Sequence, residues 1–151
     1  MVYNEENERG FVEEPLTREL LDELLSSPDP AAYLEKHPPC NRVLAEYLQQ
    51  LLEEHSLVQS KVVSDARLNR TYGYEIFEGK KANPARDKVL AIALAMGLSL
   101  TEANRALRAA NHNELYCKNR RDVIIIFALE HGYTLQRTNE VLYEFGERII
   151  E

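Results

Sequence analysis

The sequence predicts an all-α protein. Three observations point to that class. Apolar residues recur at helical spacing, no useful length alternates as a half-buried strand would, and Gly and Pro fall at breaks between segments. The chain has 151 residues, 44% of them hydrophobic, enough to bury a core; at this size roughly 68–70% of the unfolded surface leaves water.

Each element follows in order. Residues 1–14 carry no apolar period and read as a mobile acidic lead. Residues 15–39 form an N-terminal helical segment. Leu16, Leu20, Leu21, Leu24 and Leu25 share a helical stripe that Thr17 caps, and Ser26-Ser27-Pro28 stops it. Asp29-Pro30 starts a second short helix through Lys36, because proline fits a first turn, and Pro38-Pro39 ends it. Residues 40–112 hold the main helical core. Val43, Leu44, Tyr47, Leu48, Leu51 and Leu52 mark one face of a helix ending near His55. Two short helices then share Gln59–Lys81: Val62, Val63 and Ala66 form the inner face of the first, Leu68 fills the turn, and Ile76 and Phe77 anchor the second. Residues 113–151 form a C-terminal helical hairpin. Its run Val123–Phe127 is β-prone in isolation, but the helical pattern continues through Leu129, so it reads as a buried helix.

An internal repeat supports the helical reading. A shift of 35 residues lays Arg86–Asn111 on Arg121–Gly146 and pairs Arg86/Arg121, Asp87/Asp122, Ala93/Ala128, Leu94/Leu129, Gly97/Gly132, Leu100/Leu135, Asn104/Asn139 and Leu107/Leu142. Each copy reads as a helix opened by Arg-Asp, a Gly C-cap, a Ser or Thr N-cap and a second helix. Two copies are too few for a solenoid and imply paired hairpins packed on each other.

Charge divides unevenly. Residues 1–56 sum to −9, residues 57–86 to +3 and residues 87–151 to −1, within a net −7. The one positive segment is the pair of short helices, a candidate phosphate footprint. Lys118-Asn119-Arg120-Arg121 is a second basic cluster. No run approaches the ~20 apolar residues of a membrane helix, and the acidic lead does not look like a secretory signal. His37, His55, His112 and His131 are scattered, and neither Cys40 nor Cys117 sits at metal-ligand spacing, so no metal or cofactor is expected. No Gly-rich phosphate loop or spaced triad points to an enzyme. The expected setting is cytoplasmic.

The segment QSKVVSDARLNRTYGYEIFEGKK, Gln59–Lys81, resembles the helix-turn-helix of the lambda-repressor/Cro (XRE-type) family, in a bacterial subgroup. Gln59 stands where that family often opens its first motif helix with Gln. Ala66, Leu68 and Ile76 match its apolar positions, and Ile76-Phe77-Glu78-Gly79-Lys80 is similar to its helix-ending signature. Val89, Ile92, Ala93, Leu94 and Gly97-Leu98-Ser99 resemble the helix that follows. The resemblance covers about residues 43–100. Three positions depart from it: Val63 where Ala or Gly is preferred, Arg67 where a turn Gly is common, and Gly73 where an apolar residue is usual. Either the two helices pack differently or the second is bent.

The resemblance implies a repressor-like core and sequence-specific binding of double-stranded DNA as a transcriptional regulator. The N-terminal end of the second helix would enter a major groove, bringing Arg70, Thr71, Tyr74 and Glu75 to base edges. Gln59, Lys80, Lys81 and Asn83 would meet phosphate or flank the groove. It also implies a homodimer. The alternative is an adaptor that keeps the fold without binding DNA and meets protein partners through its acidic N-terminal region or C-terminal hairpin. The apolar stripe Val123–Phe127 with Val141, Leu142 and Phe145 is expected to pack partly on the core and partly in a dimer.

Overall fold

The computed structural model describes residues 17–37 and 43–151. The acidic lead, the Pro38-Pro39 break and Cys40 lie outside the described residues. Nine helices and no strand occur among the described residues. None of these helices is long and apolar enough to cross a membrane. The chain divides into two compact units, Met1–Cys40 and Asn41–Glu151.

The first unit holds α1 (Thr17–Ser26) and α2 (Pro30–Lys36). Ser26 and Ser27 turn their hydroxyls back onto the carbonyls of Asp22 and Glu23, which competes with continuing the helix. The Asp29 carboxylate accepts from the Ala32 N–H at 2.7 Å and caps α2 with Pro30 in its first turn. Glu23 fastens the two helices by accepting from Lys36 at 2.7 Å and meeting the His37 ring at 2.6 Å. The Lys36 hydrogen bond, then that of His37, holds the Glu23 carboxyl below its ordinary range, and Glu23 in turn raises Lys36.

The second unit contains α3 (Leu44–Glu54), α4 (Gln59–Asp65), α5 (Arg70–Glu78), α6 (Arg86–Met96), α7 (Leu100–Ala109), α8 (Arg120–Glu130) and α9 (Leu135–Glu144). Leu44, Leu48 and Leu51 turn one face of α3 inward, where it packs on α5 and α7, while α4 packs on α5 and α6. Four junctions use one device: a residue in the left-handed region, an apolar residue, then the N-cap of the next helix. They are Ser56-Leu57-Val58, Arg67-Leu68-Asn69, Gly97-Leu98-Ser99 and Gly132-Tyr133-Thr134, with φ of 53°, 56°, 66° and 65° at the first position. In each, the N–H of the apolar residue donates to the carbonyl five residues back: Leu57 to Leu52, Leu68 to Val63, Leu98 to Ala93 and Tyr133 to Ala128. This satisfies a carbonyl the helix end would otherwise orphan, and it swings the apolar side chain onto the core.

The repeat is a pair of interlocked hairpins. Arg86 donates to both carboxylate oxygens of Asp122, at 3.1 and 3.0 Å, and Arg121 does the same to Asp87. Each guanidinium also holds the segment that follows a hairpin: Arg86 donates to the carbonyls of Asn113 and Glu114, Arg121 to those of Arg148 and Ile149. Asn104 accepts from the Leu115 N–H and Asn139 from the Ile150 N–H, which seats Leu115 and Ile150 in the core. The Arg-Asp dipeptide therefore exchanges partners between copies, as two bidentate ion pairs.

Val123–Phe127 is helical, but α8 is sealed on one side only. Ile125 is fully buried together with Asp122, Ala128 and Leu129, while Val123 and Phe127 remain 45% and 50% exposed. The expected buried helix is thus amphipathic: α6, α7 and α9 pack on its inner face and leave Val123 and Phe127 outside those contacts. Leu142 is buried and Phe145 exposed, so the wider stripe is divided in the same way.

Candidate nucleic-acid interface

The geometry of the α4–α5 pair starts from two of the departures named above. A methyl group on Gly73 would lie 2.5 Å from Cγ1 of Val63. The bulk of Val63 on α4 occupies the space that a side chain on α5 would need. The two helices meet with the large residue on α4 and the small one on α5, the reverse of what the resemblance implies, so the two departures compensate one another. Arg67 adopts the left-handed turn conformation at φ 56°, the job expected of a glycine. Asn69 caps α5 by accepting from the Tyr72 N–H at 3.2 Å, and Gly79 ends it at φ 88°.

Gln49 of α3 locks the pair from behind. Its amide donates both to the Gln59 side chain at 3.2 Å and to the Phe77 carbonyl at 3.1 Å. One side chain thereby ties the start of α4 to the end of α5. Nothing in the local sequence marks Gln49, because its partners lie 10 and 28 residues away.

Arg70 and Thr71 stand exposed at the start of α5. The Arg70 guanidinium lies 5.6 Å from the centre of the Tyr74 ring, and Tyr74 is half-buried against the core. Glu75 is half-buried too and meets Lys81 at 3.8 Å; Lys80 meets Glu78 at 3.2 Å. Asn83 is exposed and accepts from the Asn111 amide at 2.8 Å. Arg70, Thr71, Tyr74 and Glu75 therefore share one end and side of α5, Lys80, Lys81 and Asn83 lie beyond its other end, and Gln59 is committed to Gln49. Of the five cations in Gln59–Lys81, Lys61, Lys80 and Lys81 have a carboxylate partner, whereas among the described residues no carboxylate holds Arg67 or Arg70. Phe77 is buried and offers no ring face for base stacking, and Tyr72 is partly buried against the core.

A second polar cluster joins residues that are distant in sequence. His55 meets Glu102 at 2.8 Å, and Glu54 completes a set whose ligand atoms lie within 4.8 Å of one another. Each carboxylate already has a partner within the protein. Glu102 also accepts from the Ser99 N–H in the capping box of α7, and Glu54 accepts from Gln50. Glu102 is 47 residues from His55, so sequence spacing does not mark the pair. Cys117 is an exposed free thiol.

No protein-family model matches this chain, and no match is found among curated proteins or solved structures. The functional reading rests on the residues themselves.

Proposed function

We propose that the chain binds double-stranded DNA as a sequence-specific transcriptional regulator, with α4 and α5 acting as a repressor-type helix-turn-helix. One observation carries the reading: α5 is locked from behind by Val63 and Gln49 and begins outside with Arg70, a cation that no carboxylate of the described residues holds and that is braced on Tyr74. A helix entering a major groove needs that combination of a fixed axis and an exposed, preorganised N-terminal end. Arg70 reads guanine edges with its planar fork, and Thr71 lies beside it. Tyr74 supports the guanidinium. Lys80 and Lys81 exchange their carboxylate partners for phosphate on binding, and Asn83 and Gln59 flank the groove.

One observation favours an adaptor instead. Glu78 and Glu75 already hold the lysines beyond α5, which interrupts a positive stripe on a chain of net charge −7. Binding of a selected and a random duplex across a salt series separates the two readings. Arg70→Ala is expected to lose about 1–3 kcal/mol on the selected duplex and relax preference at one base position. Lys80→Ala with Lys81→Ala is expected to weaken both duplexes alike and to lower the log–log salt slope by up to about two. A folded wild-type chain that binds neither duplex at low salt overturns the DNA reading in favour of the adaptor.

A further inference from the structure

The two hairpins share a skeleton but not a surface. In α6–α7, Ile92, Leu98 and Ala110 are 1% exposed, in a hairpin on which α3 and α4 pack. The residues 35 positions on are Phe127, Tyr133 and Phe145, and Phe127 and Phe145 are 50% and 53% exposed. Phe127 is nevertheless held in place. Its ring stacks on His131 at 3.8 Å and meets Tyr133 edge-on at 5.9 Å. An exposed aromatic with a fixed rotamer is preorganised for contact, since little side-chain freedom remains to be lost.

The outer face of α8 also carries its own complement. Arg120, Val123, Phe127 and Glu130 are all exposed and follow spacings of three, four and three, one straight stripe along the helix. The stripe is basic at its start, apolar in the middle and acidic at its end. A two-fold axis beside residue 125 that sets Val123 against Phe127 of an antiparallel neighbour also sets Arg120 against Glu130, because both pairs are centred on the same residue. Arg120 already donates to the Phe145 carbonyl and lies 3.3 Å from Glu147, yet its side chain stays 68% exposed. Those contacts fix the guanidinium beside the stripe and leave further donors facing outward.

We propose that a second copy of this chain docks on the outer face of α8, in an antiparallel, two-fold pairing of Val123 with Phe127 and Arg120 with Glu130. Like-charged ends oppose a parallel pairing, and the symmetric one meets its own charges in opposite sign. The inference does not depend on DNA binding: a dimer that binds no duplex leaves it standing and sinks only the regulatory reading.

Sedimentation equilibrium of the full chain tests it. The expected mass is twice the 17.4 kDa of one chain, at concentrations above about 10 µM, the range of a small interface. Phe127→Glu lies on the surface and is expected to leave the circular dichroism unchanged while weakening association at least about tenfold. Arg120→Glu and Glu130→Arg are each expected to weaken it as well, and the double charge swap to restore it. A chain that stays monomeric at every accessible concentration overturns the proposal. So does a dimer indifferent to Phe127→Glu, or one that the double swap fails to restore.

Discussion

The α4–α5 pair and the α6–α7 hairpin turn through the same left-handed junction, but they meet its demands with different residues. In α6–α7 each local preference agrees with the fold: Gly97 takes the positive φ, Ser99 and Glu102 form a capping box, and alanines line the helix contact. In α4–α5 an arginine takes the positive φ, and a glycine sits inside α5, where it lowers helix propensity by about 1 kcal/mol. Folds that satisfy local rules elsewhere tend to break them where another demand operates. Ser56 and Asn111 also take a positive φ outside this pair, but Arg67 and Gly73 place two exceptions in the short segment whose outer face carries Arg70. That pairing accords with the function proposed for α4–α5.

The largest expected effect contrasts the ion pairs of the two regions. Arg86→Ala leaves the Asp122 carboxylate, with its side chain 7% exposed, on the Tyr116 N–H and the N-terminus of α8. A loss of about 3 kcal/mol follows from stranding a buried charge. Arg86→Lys recovers little of it, because one ammonium cannot span both Asp122 oxygens and the two carbonyls of 113–114. Lys81→Ala breaks an exposed pair beside α5 and is expected to cost less than about 0.5 kcal/mol. Urea unfolding of the three variants gives the comparison. Equal losses for Arg86→Ala and Lys81→Ala would contradict a rigid scaffold beside an open recognition face.

The next effect tests the exchanged contact. Gly73→Ala gains helix propensity but drives a methyl to within 2.5 Å of Val63, so a net loss of about 2 kcal/mol is expected. Val63→Ala alone opens a cavity and costs roughly 1–2 kcal/mol. The double variant removes the clash by setting a small residue against a small one and should lie within about 1 kcal/mol of wild type, well short of the sum. Additive losses in the thermal or urea midpoints would show that the two residues do not compensate.

The helices of the described residues were legible in the sequence because their ends are written locally. Asp29, Asn69, Ser99 and Thr134 cap, and Gly79, Gly97, Gly132 and Gly146 take the left-handed region. The repeat was legible as a pattern, but its purpose was not. Arg86 and Asp87 looked like two helix-opening residues, and only in space do they reach across to Asp122 and Arg121. Val63 and Gly73 each looked like a departure, since neither residue names the other as its partner in the sequence. On α8 the same limit applies: periodicity marks an apolar face, and only in space do Ile125 and Phe127 fall on its covered and uncovered sides. In the candidate site, the exposed positions Arg70 and Thr71 followed from the family resemblance, which also put Tyr74 and Glu75 on the exposed side, where they are half-buried; Gln49 and the Glu75–Lys81 contact emerge only in space.

The smallest effect has opposite signs in the two junctions. Nothing lies within 4 Å of a methyl built on Gly97, so Gly97→Ala meets no clash and carries only the left-handed backbone cost. A loss of about 1 kcal/mol is expected. Arg67→Gly removes the same cost, but it gives back part of the gain by loosening the unfolded chain, and nets about 0.5 kcal/mol of added stability. Among the described residues, the Arg67 side chain donates to Gln136 at 3.5 Å, too long to matter much against that gain. Residue 67 then separates stability from binding. If an arginine is kept there for its charge beside α5, Arg67→Gly should be the more stable protein and the weaker binder, with a shallower salt dependence on any duplex. A variant that is less stable than wild type would mean that the arginine is structural, and the contrast between the two junctions would lose its functional meaning.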